Sequence, residues 1–195
     1  CNIEGEITTY HLGYIIGPRI NAGGRVGKCS HGTDLLLADD PKITFKIASE
    51  LNLYNLERKE LEKILMDKIM KKNLDLINDP IIVIEDDNMH EGVIGILAAR
   101  IKDKYNKPTI IISKRNGVGK ASARSIQGFD IGLYVIAAVQ EDILKKGGGH
   151  KMAAGFSIKT NKIKKFKDFI IRKFVTKNVD LSEKKNIFID SEISP

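Results

Sequence analysis

The sequence contains little cysteine and no long apolar run, and each scarcity excludes a class of protein. Cys1 and Cys29 are the only cysteines among 195 residues, and they form no Cys-x-x-Cys pair. A disulfide scaffold is therefore excluded, and a reducing compartment fits best. No apolar stretch approaches the roughly 18–20 residues that span a bilayer, and no secretory segment is present. We therefore expect a cytoplasmic protein without a membrane partner.

Arginine is also scarce, since only 7 of the 32 basic residues are arginine. The net charge of +7 indicates a polyanionic partner, with nucleic acid first, although a lysine bias from AT-rich coding explains it equally well. Arg19, Arg25 and Arg124 lie among glycine, asparagine and serine residues. Because the planar guanidinium group binds phosphate in a geometry that lysine cannot reproduce, these three are candidate phosphate contacts.

The hydrophobic pattern predicts an α/β fold preceded by helices. Strands and helices alternate between residues 79 and 178, which is typical of a sheet flanked by helices. The predicted strands are 81–84, 109–112 and 152–158, and the predicted helices among them are 91–105, 131–146 and 162–177. Upstream, short helices are predicted at 33–37 and 43–53 around a glycine-rich interruption at 13–32, and a long amphipathic helix at 56–72.

Both ends of the sequence suggest a longer protein. The first residue is Cys1 in place of an initiator methionine, and the last residues resemble a strand and turn with nothing to pack against. We therefore expect the chain to be one section of a larger polypeptide.

Glycine-flanked polar clusters at strand–helix junctions are the strongest local signals, because α/β proteins place ligand sites in such loops. The first cluster, 90–95, lies at the start of a predicted helix, whose free N–H groups suit a phosphate. His90 is a candidate donor to that phosphate. A capped helix start with a solvated histidine explains the same residues, so both interpretations stay open.

The second cluster, 117–125, lacks the spacing of a Walker A loop. Ser122 and Arg124 would point to the same face of an extended segment, where a hydroxyl and a guanidinium make a phosphate clamp, with Ser125 next to them. The alternative is a polar edge strand without a ligand.

The third cluster, 147–155, begins with three consecutive glycines. One glycine is enough to end the helix predicted at 131–146, so the others need a further explanation. The consecutive N–H groups of Gly147–Gly149 are able to form an anion-binding nest, with His150 at its exit.

The fourth cluster, 17–25, brings two arginines and an amide together over nine residues. Pro18 fixes the backbone, which argues against the alternative of a flexible basic loop.

In this order and spacing, the four clusters resemble the C-terminal part of the RecJ-type single-stranded-DNA-specific exonucleases of the DHH phosphoesterase superfamily. Segment 17–25, GPRINAGGR, is similar to the end of the family's catalytic DHH domain. Segments 90–101 (HEGVIGILAARI), 119–125 (GKASARS) and 147–155 (GGGHKMAAG) resemble its DHH-associated domain. The resemblance covers nearly the whole chain.

The resemblance implies four sections. Residues 1–55 would be the C-terminal part of the catalytic DHH domain, and 56–78 a connector helix. Residues 79–178 would be the DHH-associated substrate-binding domain, with a mixed sheet flanked by helices, and 179–195 the start of an OB-fold domain.

The resemblance also implies 5′→3′ hydrolysis of single-stranded DNA in bacterial DNA repair and recombination, with a pair of Mn²⁺ or Mg²⁺ ions in the full-length enzyme. This sequence has no DHH triplet, and its four histidines are scattered at 11, 31, 90 and 150. We therefore predict no metal ligand and no catalytic residue in this chain, and no nuclease activity of the chain alone.

On the same resemblance, the residues predicted to bind the DNA strand are Ser122, Arg124, Ser125, Gly148, Gly149, His150, His90, Arg19 and Arg25. Gly148 and Gly149 would contribute backbone N–H donors. Arg19 and Arg25 would lie near the cleft from the other domain, although Arg19 is equally consistent with bracing that domain's own fold.

The predicted partner is single-stranded DNA, with a single-stranded-DNA-binding protein and a helicase as further partners of the full-length enzyme. Two alternatives stay open. One is a phosphodiesterase of the same superfamily that acts on short oligonucleotides or cyclic dinucleotides. The other is a non-catalytic nucleic-acid-binding module, such as a tRNA-gripping domain of a synthetase editing system.

Overall fold

Helices form the N-terminal part of the protein. A computed structural model of the chain describes residues 3–72, 78–87, 89–178 and 191. A π-helical turn at His11–Ile16 leads into the short helices α1 (Gly17–Ile20), α2 (Gly23–Val26) and α3 (His31–Leu37). The long helix α4 (Pro41–Lys72) packs against all three of them. The glycine-rich segment therefore consists of short helical turns, where the sequence predicted an interruption between helices.

Helix α4 corrects the prediction of two separate helices at 43–53 and 56–72. No proline or glycine occurs between Lys42 and Lys72, so no residue ends the helix near position 55. The predicted boundary between residues 55 and 56 falls inside this helix, and the division into domains stays a prediction. The last predicted section, the start of an OB-fold domain at 179–195, lies outside the described residues apart from Ser191. No described helix, α4 included, is both long enough and apolar enough to cross a membrane.

Five strands form one mixed sheet in the order β1-β2-β3-β5-β4. The strands are β1 (Ile82–Asp87), β2 (Thr109–Arg115), β3 (Val118–Arg124), β4 (Lys146–His150) and β5 (Ala153–Lys159). Strands β1 and β2 are parallel, and the other neighbours are antiparallel. Helices α5 (Glu91–Tyr105), α6 (Ile131–Gln140) and α7 (Ile163–Lys177) flank the sheet, and a 3₁₀ turn at Thr160–Lys162 precedes α7. The predicted α/β fold with a mixed sheet is confirmed.

The two faces of the sheet are covered unequally. On one face, Ile110, Ile112 and their neighbours pack with α6 and α7 in a continuous apolar core. On the other face, Ile84 and Ile111 lie beneath α5 and the end of α4. Helix α5 packs against β2 and β3, and the same face of β4 and β5 borders an open cleft. The cleft is therefore the part of a sheet face that no helix covers.

The glycine run Gly147–Gly149 lies in a strand, which corrects the prediction that it ends a helix. Helix α6 ends earlier, at Gln140, and the run belongs to β4, where Gly148 pairs with Gly155. A side chain at position 147 would lie 2.8 Å from both Phe156 and Val135, so close packing explains this glycine. Among the described glycines, positive φ angles occur at Gly5, Gly117 and Gly128. The run therefore lacks the left-handed residue that the predicted anion-binding nest requires.

Asp130 is the N-cap of α6, since its Oδ1 accepts a hydrogen bond from the Leu133 N–H at 3.0 Å. We expect Asp130→Ala to lower the free energy of unfolding by about 1 kcal/mol, because an N–H at the helix start loses its partner. Urea unfolding followed by circular dichroism measures the change. Asp130→Asn retains an accepting oxygen and serves as the control. Equal losses in both variants would contradict the contribution of the cap.

Candidate phosphate-binding cleft

The cleft over the uncovered part of the sheet has a volume of about 940 Å³. Strands β3, β4 and β5 form its floor, and α2 and the first turns of α5 form its sides. Its charged and hydrogen-bonding side chains are those of Asn21, Arg25, Glu91, Lys120, Ser122, Arg124, Lys146 and Ser157. Four of these are basic and one is acidic, so the cleft has a positive potential that suits an anion.

Strand register brings several predicted residues together on the floor. Ser122 pairs with Gly155, which pairs with Gly148, and directly opposed residues of neighbouring strands face the same side. Arg124 lies two residues beyond Ser122, and its Nη1 donates to Ser122 Oγ at 3.2 Å and to the Ala123 carbonyl at 2.9 Å. The prediction that Ser122 and Arg124 share one face is confirmed.

Arg25 lies at the side of the cleft across from this pair. Its Nη1 donates to the Gly92 carbonyl at 3.1 Å, which ties α2 to the start of α5. Arg124 is partly buried, and this burial lowers the pKa of its guanidinium, as does the positive charge of Arg25. The Arg124 guanidinium stays protonated near neutral pH, because arginine titrates only in strongly basic solution. Two cations thus face one cavity.

Two glycines of α5 permit this close arrangement. A side chain at position 92 would collide with the backbone of Arg25. A side chain at position 95 would lie 3.0 Å from Ser122 Oγ and 3.1 Å from Arg124 Nη2. Glycine at both positions therefore lets α5 approach α2 and the floor at once.

The two glycines predicted to contribute backbone donors have different surroundings. A Cβ atom added to Gly148 would have no atom within 4 Å, and Gly148 lines the cleft. A Cβ atom added to Gly149 would collide with Ala153 and Ala154, and Gly149 lies outside the cleft lining. Gly148 gives the cleft a floor without a side chain, whereas Gly149 is required by the packing of β4 on β5.

The two predicted histidines also lie outside the cleft lining. His90 is the N-cap of α5, where its Nδ1 accepts from the Gly92 N–H at 3.1 Å, as the capping interpretation requires. His150 is exposed at the turn between β4 and β5, and its Nδ1 accepts from the Met152 N–H at 3.3 Å. Each imidazole thus accepts a hydrogen bond from a backbone N–H two residues away, and neither imidazole lines the cleft.

Ser125 and Arg19 have contacts within the fold. The buried Ser125 hydroxyl donates to the Phe129 carbonyl at 2.6 Å. Arg19 donates to Asn52 Oδ1 at 3.0 Å and to the Ile15 carbonyl at 2.6 Å, so it braces the N-terminal helices against α4. The structure therefore brings Ser122, Arg124, Gly148 and Arg25 together, and leaves the other predicted residues outside.

Lys146 and Ser157 line the cleft but lie outside the predicted clusters. Asn21, Glu91 and Lys120 lie within those clusters but were not among the residues predicted to bind the strand. Alternation along β3 was a usable signal for Lys120, which stands two residues before Ser122 on the same face. The others depend on the pairing of β4 with β5 and on the approach of α2, which no local pattern encodes.

The described ranges contain no group of three or more His, Cys, Asp or Glu side chains placed to hold a metal ion. The described residues therefore do not fit a two-metal centre.

Comparison with known proteins identifies relatives over most of the chain. It is 37% identical to the single-stranded-DNA-specific exonuclease RecJ of Haemophilus influenzae, over 81% of this chain and 29% of that protein. It is 35% identical to RecJ of Escherichia coli, over 83% of this chain and 29% of that protein. The crystal structure of Thermus thermophilus RecJ in complex with Mg²⁺ matches with a TM-score of 0.75 and 30% identity, over 85% of this chain and 26% of that one.

The chain spans less than a third of the length of these curated relatives. Within it, the DHHA1 domain family matches residues 78–176, the region that holds all five strands and the floor of the cleft. The chain therefore belongs to the DHHA1 domain family.

Proposed function

We propose that this chain is the substrate-holding section of a single-stranded-DNA exonuclease, and that its cleft binds the sugar–phosphate backbone. The observation that carries the proposal is that Arg25 of α2 and Arg124 of β3 line one cavity, together with Ser122, Gly155 and Gly148 of its floor. The relatives named single-stranded-DNA-specific exonucleases support the substrate class. The activity of the complete protein is part of this proposal.

The chemistry of the cleft supports backbone contact over base recognition. Guanidinium groups bind phosphate with charge-assisted hydrogen bonds, and phosphate contacts position a strand without reading its sequence. The glycines on the floor let a sugar–phosphate chain approach the sheet closely. Lys120 and Lys146 add positive charge at the edges of the same cavity. Binding is therefore expected to be independent of sequence and sensitive to salt.

We propose that the complete enzyme hydrolyses DNA from the 5′ end with Mn²⁺ or Mg²⁺ bound by residues outside this chain. Structures of Thermus thermophilus RecJ were determined with each of these ions. A role in bacterial DNA repair and recombination, in the cytoplasm, with a single-stranded-DNA-binding protein and a helicase as partners, belongs to the same proposal and is supported by the family resemblance.

Arg124→Ala is expected to weaken binding of a fluorescent oligothymidylate about tenfold, because a partly buried guanidinium loses its hydrogen bonds to phosphate. Fluorescence anisotropy in a salt series measures the affinity, and the slope of log K against log salt should fall by about 0.7. Arg115→Ala removes an exposed arginine at the end of β2, outside the cleft lining, and serves as the control. Unchanged binding by Arg124→Ala, or an equal loss of affinity in the control, would contradict a contact between Arg124 and the DNA backbone.

Competition in the same assay separates the alternative functions. Unlabelled oligothymidylate should displace the probe at lower concentration than a structured tRNA or a cyclic dinucleotide. The reverse order would favour the tRNA-gripping module or the cyclic-dinucleotide phosphodiesterase.

Gly148→Ala and Gly149→Ala are expected to have opposite effects. Gly148→Ala should leave stability unchanged or raise it slightly, because its methyl group meets no atom, and should weaken oligothymidylate binding by narrowing the cleft. Gly149→Ala should lower the free energy of unfolding by about 1–3 kcal/mol through overlap with β5. Thermal unfolding and anisotropy measure the two quantities. Wild-type affinity in Gly148→Ala would exclude Gly148 from the binding surface.

The chain alone is expected to leave labelled single-stranded DNA intact in the presence of Mn²⁺ or Mg²⁺, because the predicted metal ligands lie in other parts of the complete protein. Denaturing gel electrophoresis after prolonged incubation measures degradation, with a full-length relative as the positive control. Robust degradation by the purified chain would overturn the assignment of this section to substrate holding alone.

A further inference from the structure

A buried ion-pair network joins α4 to α5. Glu62 on α4 is 1% exposed, and its Oε2 accepts from Arg100 Nη2 on α5 at 2.7 Å. Its other oxygen is paired with Arg58 Nη1, one turn earlier on α4, and Arg58 Nη2 donates to Asn55 Oδ1 at 2.8 Å. One carboxylate therefore binds a guanidinium group of each helix.

This network lies apart from the contact at Gly92, where Arg25 meets the start of α5. Arg100 lies eight residues after Gly92, or about 12 Å along the helix axis. Further along α5, apolar packing with Ile69 and the hydrogen bond from the Tyr105 hydroxyl to Met70 Sδ at 3.4 Å also join it to α4. Contacts at separated points along α5 together restrict its tilt, and the Glu62–Arg100 pair adds a charged one.

Each of the two helices packs against an element that carries cleft residues. Helix α4 packs against α2, which carries Arg25, and α5 packs against β3, which carries Ser122 and Arg124. A buried charge that loses its partner is strongly unfavourable. A movement of α5 that separated Arg100 from Glu62 would leave a buried carboxylate with only one partner, so the network resists that movement.

We propose that Glu62 is a positioning residue that fixes the separation between Arg25 and the Ser122–Arg124 pair, so that both sides of the cleft bind one strand. The identity of the ligand rests on the proposed function, whereas the geometric role does not.

The geometric role is tested without DNA. Cys29, between α2 and α3, and Lys164, on α7, are both exposed, so nitroxide labels at Cys29 and Lys164→Cys, in a Cys1→Ser background, report the distance between the N-terminal helices and the sheet. Arg100→Met removes the tie from α5 but leaves Glu62 paired with Arg58. Because the Arg100 side chain is 57% exposed, this variant is expected to fold.

Double electron–electron resonance should give a narrow distance distribution in the labelled parent protein and one about twice as broad in Arg100→Met. Arg115→Met, which removes an exposed arginine of β2, is the matched control and should leave the distribution narrow. An unchanged distribution in Arg100→Met would overturn the proposal.

DNA binding gives a second measurement, which distinguishes a positioning role from the simple loss of a positive charge. Arg100→Met should weaken oligothymidylate binding about tenfold, since a small misplacement of paired binding groups has a large effect, while Arg115→Met has little effect. Arg25→Ala should then cause a smaller loss in the Arg100→Met background than in the wild type, because Arg25 contributes fully only when the two sides are correctly spaced. Additive losses would show that Arg100 acts as an independent charge and would overturn the positioning role.

Absence of oligothymidylate binding by the wild type would contradict the proposed function alone, and the distance measurement would still decide the role of Glu62.

Discussion

The backbone of Arg25 packs against α5 at Gly92, where the helix has no side chain. This contact sets the distance between α2 and the sheet, because α5 itself lies on β2 and β3. The same arginine turns its guanidinium back to the Gly92 carbonyl, so the residue that forms the contact also supplies charge to the cleft. A larger residue at position 92 would move the two sides of the cleft apart.

The electrostatics of the free protein favour a bound anion. Burial and, after it, the positive charge of Arg25 lower the pKa of the Arg124 guanidinium. An anion near both guanidinium groups would offset the repulsion between them. Gly148 and Gly155 on the floor have no side chain that would obstruct an anion in this cleft.

The sequence predicted those parts of the structure that local patterns determine. Strands β1 and β2 followed from their apolar runs, and the shared face of Ser122 and Arg124 followed from the two-residue period of a strand. The glycine run was assigned wrongly, because three glycines are locally compatible with a helix end and with a strand. The pairing of Gly148 with Gly155 decides the outcome, and that contact is not local. The partnership of Glu62 with Arg100 spans 38 residues and had no sequence signal.

The unbroken helix α4 gives the molecule a mechanical property. Its 32 residues extend about 48 Å, so a tilt of about 5° at one end displaces the other end by about 4 Å. The short N-terminal helices pack against α4, and Ile69 in its last turns belongs to the apolar cluster beneath α5. A rotation of α4 among the N-terminal helices would therefore displace Ile69 and disturb its packing beneath α5, so this one helix couples the N-terminal helices to the sheet.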